Sequence, residues 1–257
     1  MHKGIDISRW QGEIDFNKVK AAGYDFVIIK AGGSDMGFYT DSFFEKNYKA
    51  AKAAGLHVGA YYFVGFLFYG DVAGRADALR FIRMLDGKQL ELPVFVDIET
   101  TQPARKAEAT QAAIAFCETM EEAGYFVGIY SSDIYGFKER LDHDRLKAYA
   151  HWVADYSGDT DICKEWQIRQ ITRKGIIPGI DTYVDLDITI VDYFSIMKKN
   201  RLNGFKKGEK NNDTAGDSDT GKSRIHSTAD SSTEPDTAGS SGTGSGTGKR
   251  TRKRTGK

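Results

Sequence analysis

Along the first 190 positions, apolar residues come in short runs separated by stretches of helical periodicity, too brief to be helices themselves. The runs are Gly4-Ile5-Asp6-Ile7, Phe26-Val27-Ile28-Ile29, Val58-Gly59-Ala60-Tyr61-Tyr62-Phe63, Val94-Phe95-Val96-Asp97-Ile98, Val127-Gly128-Ile129-Tyr130, Trp152-Val153-Ala154, Trp166-Gln167-Ile168 and Val184-Asp185-Leu186. They predict eight strands. Ser42 to Ala54, Val72 to Leu85 and Ala107 to Ala123 read as amphipathic helices, each running into a glycine (Gly55, Gly87, Gly124) suited to a left-handed helix end. A recurring phrase, Ala21-Ala22-Gly23-Tyr24, Ala53-Ala54-Gly55-Leu56 and Glu122-Ala123-Gly124-Tyr125, hands each helix to the next strand.

This βα rhythm predicts an α/β fold closed into a TIM-like barrel. The barrel should be irregular, with five βα units followed by three strands, because Ala150 to Ile190 is rich in Gly, Asp and Thr and lacks a helical pattern. A doubly wound open sheet is the alternative, but no Gly-x-Gly-x-x-Gly follows the first strand.

Composition divides the chain in two. Residues 1–200 form the expected barrel domain, and 201–257 a disordered Gly/Ser/Thr-rich tail ending in the basic cluster Lys249-Arg250-Thr251-Arg252-Lys253-Arg254. Each sign numbers 36 overall, but from Phe205 onward 11 basic residues face 7 acidic ones, leaving 25 basic against 29 acidic before it. The folded part is mildly acidic, which argues against nucleic acid as a partner. No membrane-length apolar run and no signal peptide are visible. Cys117 and Cys163 form no framework, and the five histidines (His2, His57, His143, His151, His226) show no ligand spacing. No metal or cofactor is expected.

The reacting groups of a βα barrel sit at one rim, so position within each strand is informative. Asp6 ends the first strand, Asp97 and Glu99 end the fourth, and Asp185 and Asp187 lie on the eighth, beside the first when the barrel closes. Residues two apart on a strand share a face, so Asp97 and Glu99 both look inward. Crowding like charges raises at least one pKa, which suits a carboxylic acid that protonates a glycosidic oxygen. Glu99, nearer the rim and longer, is the expected acid, with Asp97 as its ionised electrostatic partner. A metal site of oxygen ligands would fit the acids alone; aromatics near the strand ends, among them Trp10, Tyr61, Phe63, Tyr130, Trp152 and Tyr156, favour sugar, because flat rings stack on pyranose faces. Gln170 is a candidate for holding a sugar amide.

The ordered phrases Gly4-Ile5-Asp6-Ile7-Ser8 with Trp10-Gln11, Phe26 to Ala31, Gly59 to Phe63, Pro93 to Glu99, Gly128-Ile129-Tyr130-Ser131 and Val184-Asp185-Leu186-Asp187 resemble glycoside hydrolase family 25, the muramidases of phage endolysins and bacterial autolysins. The resemblance spans about residues 3 to 194 and implies hydrolysis of the β-1,4 bond between N-acetylmuramic acid and N-acetylglucosamine in peptidoglycan. It implies Asp6, Asp97, Glu99 and Asp185 as the acidic site residues, with Glu99 the general acid and either the substrate's acetamido oxygen or an activated water as nucleophile. Tyr61, Phe63, Tyr130, Trp152 and Gln170 are the expected substrate contacts. Where the family shows Trp-Gln-Tyr, this chain has Arg169-Gln170-Ile171. A chitinase-like hydrolase and a non-catalytic wall lectin are the rival readings. The expected protein is a monomer acting at the bacterial cell wall, reached through a partner pore or another export route, with its basic tail drawn to anionic wall polymers.

Overall fold

The computed structural model describes residues 1–205; the expected tail, with its basic cluster, lies outside the described residues from 206 on. Eight strands close into a barrel: β1 (His2–Ile7), β2 (Phe26–Gly33), β4 (His57–Phe63), β5 (Val94–Asp97), β6 (Val127–Ser132), β7 (Ala150–Ala154), β8 (Ile168–Gly175) and β9 (Val184–Thr189), with β1 also pairing β2. A two-residue strand, β3 (Tyr39–Thr40), hangs antiparallel on the end of β2. The helices are α1 (Phe16–Ala21), α2 (Phe44–Ala53), α3 (Gly70–Leu85), α4 (Lys106–Glu122), α5 (His143–Leu146) and α6 (Tyr193–Asn200). The predicted helices after the second, third and fourth barrel strands are present to within a turn.

Three features differ from the expectation. The closing strand β9 runs antiparallel to both neighbours, so its N-terminal end, not its C-terminal end, lies at the mouth. The seventh barrel strand starts at Ile168 rather than Trp166 and extends to Gly175 through two register shifts. The packed chain also continues past residue 200. Asn203 is buried at the base of the barrel, accepting from the Phe126 N–H at 2.7 Å and donating to the Leu92 carbonyl at 2.6 Å.

Strand alternation sorts the side chains into two cores. Outward residues such as Val27, Ile29, Val58, Tyr62, Val96 and Ile129 pack under the helices. Inward residues, Phe26, Ile28, Tyr61, Phe95, Tyr130, Trp152 and Ile168, fill the barrel. The interior rings need space that glycines supply: a Cβ on Gly4 would stand 2.1 Å from the Phe26 ring, and one on Gly128 2.5 Å from the Phe95 ring. Helices α3 and α4 meet at Gly74, where a Cβ would lie 2.1 Å from the Ala112 carbonyl oxygen. Asp15 caps α1 by accepting from the Lys18 N–H at 3.2 Å, and Asp192 caps α6 through the Ser195 N–H.

Candidate active site

The acids meet where the strand registers place them. Asp6 on β1 stands directly opposite Asp185 on β9, and Gly4 opposite Asp187, so both β9 acids share the inward face with Asp6. Phe63, Asp97, Tyr130 and Trp152 occupy one ladder row across β4, β5, β6 and β7. Beyond Asp97 the chain stays anchored: the Ile98 N–H donates to the Tyr130 carbonyl at 3.0 Å, and the Ser131 hydroxyl donates to the Ile98 carbonyl at 2.5 Å. Glu99 therefore sits just past the strand end, exposed at the rim, while Asp97 is buried below it.

A cavity of about 190 Å³ joins Asp6, Asp97, Glu99 and Asp185 with Tyr61, Phe63, Tyr130, Trp152 and Gln170, so every residue expected in the site lines it. Larger depressions lie elsewhere, beside α1 and beside β3. Lys30, Trp10, Ser8 and Gln11 also line the mouth. Lys30 was not among the expected residues, although its alternation with Phe26 and Ile28 on β2 is a signal for an inward side chain. Its ammonium lies 4.1 Å from the centre of the Phe63 ring and 5.9 Å from that of Tyr61. Trp10 is 73% exposed on a single 3-10 turn, Arg9–Gln11, held by a Ser8 and Gln11 capping box.

Gln170 is not a free amide. Its oxygen accepts from the Tyr130 hydroxyl at 3.1 Å and the Tyr156 hydroxyl at 2.7 Å, and its nitrogen donates to Asp6 at 2.8 Å. The Trp152 indole N–H donates to Asp187 at 2.8 Å while its ring packs on Tyr130 and Phe95. Asp187, though buried, is thus part of the arrangement beneath Asp6.

Five carboxyl groups this close cannot all ionise. Burial pushes Asp6 well above the usual carboxylate range, the charges of Asp187 and Asp185 push the same way, and the Gln170 donor opposes them. Burial lifts Asp187 to about 8 and, with the Glu99 charge, Asp185 to about 6. Asp97 is raised by burial and then by the Glu99 charge; Glu99, though its side chain reaches solvent, is raised because the walls of the mouth strip part of its hydration, and Lys30 opposes both shifts. Asp97 and Glu99 stand close enough that the charge of Glu99 disfavours the ionised form of Asp97. Sequence spacing also did not foresee that His143 and His151 come together with Cys163 on the outer side of β7.

Comparison with known proteins places this geometry. The family model for glycosyl hydrolases family 25 matches residues 5–180. An autolytic lysozyme of Clostridium acetobutylicum is 30% identical over 186 residues, which cover 72% of this chain and 55% of that one, so this chain spans little more than half of that relative's length. The crystal structure of the CTP1L endolysin matches with a TM-score of 0.67 at 26% identity, over 77% of this chain and 70% of that one. A family 25 glycosyl hydrolase from Bacillus anthracis shares the fold, with a TM-score of 0.66 at 23% identity over 79% of this chain and 94% of its own. With the family model running from the first barrel strand to the approach of the last, and the acids gathered at the mouth it encloses, this chain belongs to family 25 of the glycosyl hydrolases.

Proposed function

We propose that this chain is a muramidase that cleaves the β-1,4 bond from N-acetylmuramic acid to N-acetylglucosamine, with Glu99 as the general acid. The observation that carries the reading is the pair of Asp97, buried, and Glu99, at the rim, both with raised pKa values, lining one aromatic-walled cavity. Raised pKa values favour the protonated form of such a pair, and the carboxyl that reaches the rim is the one able to pass a proton to the departing oxygen. As Glu99 gives up the proton, Asp97 faces the positive charge that builds on the muramic acid ring, or the acetamido group that attacks it. Asp6 and Asp185 complete the acidic wall, held by Gln170 and by their cross-strand pairing. Tyr61, Phe63, Tyr130 and Trp152 provide ring surface and hydroxyls for sugar. The relatives' names, an autolytic lysozyme and an endolysin, support the choice of peptidoglycan.

A monomer acting at the bacterial wall suits this chemistry, and among the described residues no helix is long and apolar enough to cross a membrane. The basic tail would add long-range attraction to anionic wall polymers. Reducing ends released from purified cell walls and from chitin, measured for the wild type and Glu99→Gln, test the reading. Release from walls alone, lost in the variant, is expected. Equal release from chitin would favour a chitinase-like enzyme, and binding to walls without release would favour a lectin.

A further inference from the structure

On the far side of β7 from the sugar cavity, three soft donors come together from separate segments. His143 opens α5, His151 lies on the outward face of β7, and Cys163 lies in the loop 155–167 that joins β7 to β8. One ligand atom from each lies within 4.8 Å of the other two. The Cys163 sulfur is 3.4 Å from Nε2 of His143, and the two imidazole rings are centred 5.0 Å apart. The edge of a tetrahedral zinc site with sulfur and nitrogen ligands is roughly 3.3–3.8 Å, so movements of about 1 Å close the set.

The surroundings suit a metal better than an isolated thiol requires. Nε2 of His151 bonds the Leu146 carbonyl at 3.2 Å. A proton on that nitrogen leaves the lone pair on Nδ1, and a carbonyl partner of this kind is the usual support of a ligating histidine. The loop carrying Cys163 is held before any ligand arrives. The Asp133 carboxylate accepts from the backbone N–H groups of Asp161 at 2.7 Å, Ile162 at 3.2 Å and Cys163 at 2.9 Å, and the Thr160 hydroxyl donates to the Cys163 carbonyl. Phe137 walls the pocket, its ring 5.0 Å from that of His151. Cys163 and His151 are buried, and half-buried His143 leaves a path from solvent.

We infer that His143, His151 and Cys163 form a binding site for a thiophilic divalent cation of the zinc class, separate from the glycan site. Two neutral imidazole nitrogens and the Cys163 thiolate supply three ligands, and water or a small anion takes the fourth position. As the sulfur–metal bond forms, the thiol proton leaves to solvent, and no electron is transferred. The role is structural. The ion ties the 155–167 loop to α5, and that loop holds Tyr156 against Gln170.

Cobalt(II) added to the tag-free full chain tests this, because cobalt bound to thiolate gives a ligand-to-metal charge-transfer band that carboxylate-bound cobalt at the acidic mouth does not. The expected result is one equivalent of cobalt with that band, displaced by zinc. Zinc should raise the melting temperature by about 5 °C or more when in large excess over its dissociation constant. Cys163→Ala should abolish the band, and His143→Ala, at a half-buried position, should weaken zinc binding at least tenfold. Wild-type protein that takes up cobalt without a thiolate band overturns the inference whatever the variants do, as does a band that persists in Cys163→Ala. Neither readout depends on glycan hydrolysis, so the inference stands or falls apart from the muramidase reading.

Discussion

Gln170 donates to the Asp6 carboxylate across 2.8 Å while its carboxamide oxygen takes the hydroxyl protons of Tyr130 and Tyr156. The amide is thereby fixed in one orientation, and Asp6 keeps a donor that offsets part of the rise in its pKa caused by burial and by the charges of Asp187 and Asp185. Gln170 is a positioning residue in this arrangement. Gln170→Ala should lower kcat by about ten- to a hundredfold with a smaller change in KM, and should alter the pH profile because Asp6 ionises at still higher pH. A variant that changes KM alone would instead make Gln170 a sugar contact.

Glu99→Gln keeps the side-chain shape and removes the acid. Loss of general acid catalysis should slow wall clearance by about 10²–10⁴-fold. Far-ultraviolet circular dichroism should not change, because Glu99 is at the exposed rim. Clearance at the wild-type rate would remove Glu99 from the role of acid.

Lys30 lowers the pKa of both Asp97 and Glu99, and it does so from a half-buried position against Phe63. An acid must be protonated to act, so activity falls as pH rises through the pKa of the pair. Replacing the cation with Lys30→Met should therefore move the alkaline limb of kcat/KM to higher pH. An unmoved limb would show that the limb belongs to another group, with Asp185, raised to about 6, the first to test by Asp185→Asn.

The barrel and its acids were legible because both rest on short-range periodicity. Alternation along Val94 to Glu99 puts Asp97 and Glu99 on one face, and the helix-to-strand glycines fix the βα units. What the sequence hid depends on contacts distant along the chain. The direction of β9 is a separate case: the helix-free link 176–183 is too short for the crossover a parallel neighbour of β8 needs, but Val184-Asp185-Leu186 alternates alike in either direction. Lys30 alternates correctly with Phe26 and Ile28, yet a lysine that follows an apolar run ordinarily faces water. Gln170 could be placed near the site, but its partners lie 14, 40 and 164 positions away. The same holds for His143, His151 and Cys163, whose spacing matches no ligand motif.

Asp187 offers a prediction about stability rather than rate. Its carboxyl is buried beneath Asp6, accepts the Trp152 indole proton and is raised to about 8, against about 3.9 in an unfolded chain. Between those values the folded protein binds a proton that the unfolded chain does not, so this group makes stability fall as pH rises from about 4 to about 8, with no further loss above. Asp187→Asn retains an acceptor for Trp152, cannot ionise, and relieves the repulsion on Asp6. Its melting temperature should match that of the wild type near pH 4 and exceed it by about 3 °C or more at pH 8. Thermal unfolding of both proteins across that range checks this. Parallel pH dependence in the two would mean that Asp187 is ionised in the fold, with its charge offset by Trp152 and a partner other than a shared proton.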